Sequence, residues 1–215
     1  MEQVQRAKVW GGWWRLAHAA AGLSVLVLIA TGWLIAQAPS IANTAADIHL
    51  YAASVLIFAL VVRIALGFFG SPVERFVSLV PREKDKAGMR DMAIFYARLG
   101  RATPPRWYAH NPLWKPVYLA FYLLLVLQAV SGGLQPESPV FLGFYLPELH
   151  RDLARFLVVL TVLHIVAVVV HDYRGNAADV SSIINGHRHF IPEKPTTTFE
   201  PVPKETAVRL DQLKR

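Results

Sequence analysis

The sequence predicts an all-α membrane protein, a bundle of four transmembrane helices, and three observations lead there. The 215 residues are 54% hydrophobic and yet carry 22 Lys+Arg. A soluble domain interrupts its apolar residues at regular spacing, whereas here they run on in four stretches, at residues 13–36, 49–69, 113–134 and 149–171. A helix needs about 20 apolar residues to cross a hydrocarbon core of roughly 30 Å, so each stretch can cross once. The third observation is where the basic residues fall. Arg6, Lys8 and Arg15 precede or open the first stretch, nine Lys/Arg lie from Gly70 to Lys115, seven follow His171, and the other two loops carry none. Lys and Arg gather on the cytoplasmic side. Both termini and the middle loop are therefore expected in the cytoplasm, and topology, with no nucleic acid, accounts for the net charge of +7.

The expected organisation is a cytoplasmic lead at residues 1–12, a four-span domain at 13–171 and a cytoplasmic tail at 172–215. The first stretch is expected to stay in the membrane although Ala36-Gln37-Ala38 resembles a cleavage site, because its apolar core exceeds that of a signal peptide. Trp10, Trp13 and Trp14 form an aromatic belt at its entry. The loop at 37–48 is short enough to make spans one and two antiparallel neighbours. Within the loop at 70–115, Met89, Met92, Ala93, Tyr96 and Leu99 recur at three- and four-residue spacing, which predicts an amphipathic helix over 86–100 lying on the inner membrane surface. Thr103-Pro104-Pro105 is expected to end it, and His110-Asn111-Pro112 leads into span three. Span three is a wall in which Gln128 is the polar mid-span residue, suited to a helix-to-helix hydrogen bond or to a quinone headgroup. Gln135-Pro136-Glu137-Ser138-Pro139 marks a turn-rich outer loop where a partner could dock. A short surface helix is predicted over 177–185, stopped by Gly186, and from Pro192 the composition is that of a disordered tail.

With no cysteine, disulfides, c-type haem attachment and cysteine-ligated clusters are excluded, and a metal must rely on His, Met or carboxylate. His150 and His164 lie fourteen residues apart in the fourth stretch, which is about four helical turns and roughly 21 Å, so both imidazoles leave nearly one face at two depths. His49 opens the second stretch at the depth of His150, and His18 enters the first near that of His164. The pairs 49/150 and 18/164 can each bracket one iron, which predicts two bis-histidine b-type haems. His171 competes with His164 for His18, but it would separate the irons by about 32 Å instead of 21 Å, and tunnelling weakens exponentially with distance. His171 is better read with Asp172 as an interfacial pair and a proton carrier near a quinone. His110, His187 and His189 fall in polar segments and are expected to be solvated.

Arg63 is the one cation deep in an apolar run, fourteen residues after His49. An intramembrane charge usually pairs or lines a site, and a haem propionate suits it; the competing reading is a side chain snorkelling to the interface. Gly22 and Gly32 follow His18 at four and fourteen residues, either to admit a flat macrocycle or to assist helix packing.

These residues together resemble the b-type cytochrome subunit family of nickel-iron hydrogenases, within the prokaryotic four-helix di-haem cytochromes b. The carriers are Arg15-Leu-Ala-His18 with Thr31-Gly32, Ile48-His49 through Arg63 to Gly67-Phe68-Phe69-Gly70, His110-Asn111-Pro112, His150 and His164, and the tail piece 181–188. The resemblance implies that His18 and His164 ligate a cytoplasmic-side haem and His49 and His150 a periplasmic-side one. It also implies passage of electrons between a periplasmic partner and membrane quinone in a bacterial inner membrane. His171-Asp172 and His187 depart from the family pattern, so a molybdenum enzyme or a c-type cytochrome competes with hydrogenase as the partner. Two other readings remain: a haem-free anchor for a redox partner, and a quinol-oxidising cytochrome feeding a periplasmic reductase.

Overall fold

The computed structural model describes residues 5–174 and 179–190. Four long helices carry the bundle: α1 at Gly12–Gln37, α2 at Ala42–Phe69, α4 at Lys115–Leu134 and α5 at Leu146–Arg174, with the shorter α3 at Lys86–Ala97 between α2 and α4. All four are long and apolar enough to cross a membrane. Consecutive long helices alternate in direction, so the entry of α1 and the exit of α5 share one end with the middle loop. α1 packs along α2 and α4 along α5, and α2 also touches α4.

Two of the helices start earlier than their apolar runs. The second opens at Ala42, after a single 3-10 turn over Pro39–Ile41, so His49 sits two turns inside α2 instead of at its mouth. The fourth opens at Leu146 instead of 149. Backbone hydrogen bonding is indifferent to hydropathy, and Asn43, Thr44 and Asp47 simply extend the coil into the headgroup zone.

At mid-height each long helix gives one buried side chain to a single layer: Val25, Leu56, Leu124 and Leu157. Three of them lie seven residues from a histidine of the same helix, and Leu157 lies seven from both His150 and His164. Two turns bring a residue back to almost the same face. The layer therefore separates the two histidine levels with hydrocarbon.

Beyond the helices, the structure adds two ribbons that the sequence did not announce. β1 (Gln5–Lys8) pairs antiparallel with β4 (His187–Phe190), tying the lead to the tail. The amides of Val9 and Trp10 both donate to Gly186 O. Gly186 follows α6 (Asp179–Asn185) at φ +80, and a Cβ there would meet Trp10 O at 2.8 Å, so the left-handed turn and the close approach both require glycine. Arg15 donates to Ile184 O, and buried Arg188 donates to the carbonyls of Trp107 and Tyr108 at 2.9 and 3.1 Å. At the other end β2 (Val140–Phe141) and β3 (Phe144–Tyr145) form a small exposed hairpin. The start of the predicted helix at 177 and the tail from 192 lie outside the described residues.

Helix α3 lies across the end of the bundle that carries the termini. Its buried face is Met92, Phe95 and half-buried Tyr96, whereas Ala93 and Leu99 are exposed, so the expected stripe is corrected: two of its five residues lie off the buried face and Phe95 lies on it. Phe95 contributes more area than Ala93 and takes its place in the core. The helix also ends before the two prolines: Leu99 and Gly100 have positive φ, and Gly100 N bonds Phe95 O at 2.8 Å. This left-handed stop closes the coil at Ala97.

Candidate functional site

Four histidines converge in two pairs. His18 of α1 faces His164 of α5 with ring centres 6.3 Å apart, and His49 of α2 faces His150 of α5 at 6.4 Å. Within α5 the fourteen-residue offset sets the two levels about 21 Å apart. Two imidazoles on opposite sides of one metal, each bonded at about 2 Å through a nitrogen about 1.1 Å from its ring centre, have ring centres roughly 6.2 Å apart. Both pairs therefore have the separation that a shared axial metal requires, and the residues present fit two bis-imidazole haems.

The 49/150 pair is surrounded by small and hydroxylic side chains. Thr31 Oγ1 lies 2.8 Å from Val27 O and 2.8 Å from His49 Nδ1. A carbonyl only accepts, so the hydroxyl hydrogen goes to Val27 and Thr31 accepts from His49 Nδ1–H. The Nε2 lone pair of His49 is then free to ligate. Ser131 repeats the device on His150: its hydroxyl donates to Gln128 O at 3.2 Å and accepts from His150 Nδ1–H at 3.0 Å. Gln128 Nε2 in turn donates to His150 Nε2 at 3.3 Å, while the buried Gln128 Oε1 has no partner. Gln128 thus makes the expected interhelical bond, and it rests on the lone pair that a metal would take. A Cβ on Gly132 would come within 2.9 Å of His150 Cε1, and one on Gly32 within 3.7 Å of His49 Cε1. Gly132 thus gives the His150 ring room, whereas a side chain at Gly32 would make ordinary contact with His49 and Gly22 opens onto free space.

Around the 18/164 pair the side chains are large and aromatic. Trp14 stacks on His18 at 5.4 Å and 9°, and Trp10 stacks on Trp14 at 4.0 Å and 11°. On the far side Trp114, Tyr118 and Phe121 surround His164 with ring centres 5.7, 6.4 and 6.0 Å away. The guanidinium of Arg63 lies over Trp14 at 4.1 Å and 5.4 Å from the Tyr122 ring. It occupies the level of His18, as its spacing from His49 predicts, and the indole Nε1 of buried Trp14 has no hydrogen-bond partner among the described residues.

His18 meets His164 and not His171. That residue is buried beneath α3, its Nε2 2.7 Å from Tyr96 Oη, which also accepts from Trp114 Nε1 at 2.7 Å. Asp172 accepts from Val180 N at 3.1 Å. The pair expected at an open interface is thus roofed by the middle loop. His110 also departs from expectation: instead of being solvated it packs against Trp10 at 5.0 Å and Tyr118 at 5.7 Å. Burial, then the positive charges of Arg63, Lys115 and Arg188, hold its pKa down at about 3. His187 stays at the surface, its Nδ1 2.9 Å from Asn185 O.

The sequence reading passed over Ser131, Trp114, Tyr118 and Phe121. Ser131 carried a usable signal, since it follows Gln128 by three residues and shares its helix face. The aromatics carried none, because rings in an apolar span look alike whether they face lipid or a site.

A family profile described as prokaryotic cytochrome b561 matches residues 9–186. The chain is 27% identical over 206 residues to a probable Ni/Fe-hydrogenase B-type cytochrome subunit of Bradyrhizobium diazoefficiens, covering 82% of this chain and 83% of that one. It is 26% identical to the protein of the same description from Cupriavidus necator, covering 82% and 84%. No solved structure matches it. The profile spans all four membrane helices and both histidine pairs, and the chain therefore belongs to the prokaryotic cytochrome b561 family of membrane electron-transfer cytochromes.

Proposed function

We propose that the chain is a di-haem cytochrome b subunit that carries electrons between a periplasmic redox partner and the quinone pool. His49 and His150 would hold the haem at one level, and His18 and His164 the haem at the other. The observation that carries this reading is the agreement of the two ring separations, 6.3 and 6.4 Å, on ligands that share α5. Bound haem supplies one-electron redox chemistry, and filling both axial positions with imidazole favours electron transfer over oxygen binding.

The chain's own residues do the rest. Thr31 and Ser131 hold His49 and His150 in the Nδ1–H tautomer and orient their rings. Arg63 and the indole Nε1 of Trp14 offer donors to a propionate at the inner level. Trp114, Tyr118 and Phe121 keep water from His164. The excess of Lys and Arg around the α1 entry, the α5 exit and the middle loop supports a cytoplasmic location for that end, which would leave the Val140–Tyr145 hairpin side for the partner. The names of the two relatives make a nickel-iron hydrogenase the first partner to try. The quinone is expected at the cytoplasmic end, with His171 and Tyr96 within reach of entering protons.

The test is a reduced-minus-oxidised spectrum of the purified chain with a pyridine haemochrome assay. Two b haems per chain are expected. A folded, haem-supplied preparation without haem absorbance would leave a membrane anchor in their place.

A further inference from the structure

We propose that Arg63, acting through Trp14 on His18, holds the 18/164 haem at a higher reduction potential than the 49/150 haem, so that electrons run downhill toward the end bearing the termini. This rests on the two-haem reading above and adds a direction to it.

The geometry is a stack of three groups. The guanidinium sits 4.1 Å above the indole of Trp14, and the indole lies parallel to the imidazole of His18, 9° from coplanar, at 5.4 Å. A positive charge is thus fixed two layers from an axial ligand. Glu74 acts on Arg63 through space; its two oxygens accept from the amides of Gly11 and Ser71, so it remains an anion and offsets part of this charge without pairing directly with the guanidinium.

Among the described residues nothing comparable stands at the other level. The groups touching His49 and His150 are the neutral Thr31, Ser131 and Gln128. The nearby charges on the same helices are of mixed sign: exposed Asp47, Glu148 and Arg151, and Asp152 paired with Arg155 at 2.8 Å. Water screens such surface charges far more than one held inside the bundle.

The sign follows from charge. A ferric centre carries one more positive charge than a ferrous one, so a neighbouring cation disfavours the ferric form and raises the potential. If the guanidinium also takes a propionate, it neutralises an anion and shifts the potential the same way. A unit charge about 10 Å off, at an effective dielectric near 20, changes such an equilibrium by roughly tenfold. Each transfer oxidises the 49/150 iron from ferrous to ferric and reduces the 18/164 iron from ferric to ferrous. The periplasmic partner supplies one electron per transfer, and two such transfers with two protons reduce one quinone to quinol.

Potentiometric titration of the purified holoprotein tests this, with the two haems assigned through His150→Ala and His164→Ala. The 18/164 haem should have the higher midpoint. Arg63→Gln should lower that midpoint alone, reducing the share of electrons on that haem about tenfold, and Arg63→Lys should recover part of the shift, both midpoints being read on the haem each variant retains. Trp14→Phe, which keeps Arg63, should preserve the order of the midpoints. A wild-type 49/150 midpoint equal to or above the other, or an Arg63→Gln change that moves both haems equally or neither, would overturn the proposal. Fewer than two haems per wild-type chain would instead mean that the two-haem reading has failed, and the direction with it.

Discussion

Around His49 and His150 the neighbours are hydroxyls, glycines and one amide; around His18 and His164 they are four aromatic rings and a guanidinium. Both levels present the same pair of imidazoles at nearly the same separation. The histidine pairs are therefore duplicated and their surroundings are not. A hydroxyl that has already given its hydrogen to a carbonyl leaves one role for the imidazole beside it, so the first level fixes its ligands by hydrogen bonding. The second holds its imidazoles by aromatic contacts, stacked on His18 and edge-on to His164, which exclude water but do not choose a tautomer. On the reading proposed above, one level favours ligand orientation and the other electrostatic bias. A dry layer of Val25, Leu56, Leu124 and Leu157 lets each keep its own character.

The largest break in this comparison removes a ligand. His164→Ala is expected to leave one haem per chain, the one between Thr31 and Ser131, and His150→Ala should leave the other. A haemochrome assay reads the loss from about two to about one. His171→Ala should keep both, since Tyr96 and not His18 is its partner.

A smaller effect should separate the two kinds of support. Thr31→Val together with Ser131→Ala removes the acceptors on both Nδ1–H groups, and haem retention at that level should fall by about 10- to 100-fold, as for other outer-shell partners of ligating histidines. Retention at the 18/164 level should not change. Transfer of haem to a scavenging protein, followed at two wavelengths, distinguishes the two sites. Equal loss from both would mean that the hydroxyls act on the bundle as a whole.

The smallest expected effect lies beside the stacked level. His110 is held neutral, its pKa down at about 3, whereas in the unfolded chain it titrates near about 6.5. Between those values the unfolded state binds the proton and the folded state does not, so stability falls as pH drops from about 6.5 toward 3. His110→Gln should flatten that part of the profile. Thermal unfolding in detergent at pH 7.5 and pH 5 should show a narrower gap between the two midpoints for the variant than for the parent.

The sequence by itself determined the four spans and the two levels. Unbroken apolar runs leave no other fold in a bilayer, and the fourteen-residue offset in α5 fixes a depth difference through helix geometry alone. The same rule placed Arg63 at the level of His18. Only the tertiary structure decided which ring faces which. His164 and His171 share a face seven residues apart, and the choice between them was made when α3 and Tyr96 covered the second. It also decided that His110 is packed, that Phe95 displaces Ala93 from the buried face of α3, and that the lead and tail form a ribbon. The physical reason is common to all of these. Periodicity and hydropathy fix how a helix lies and how deep each residue sits, whereas rotation about its axis and the identity of its neighbours are settled only when the helices pack.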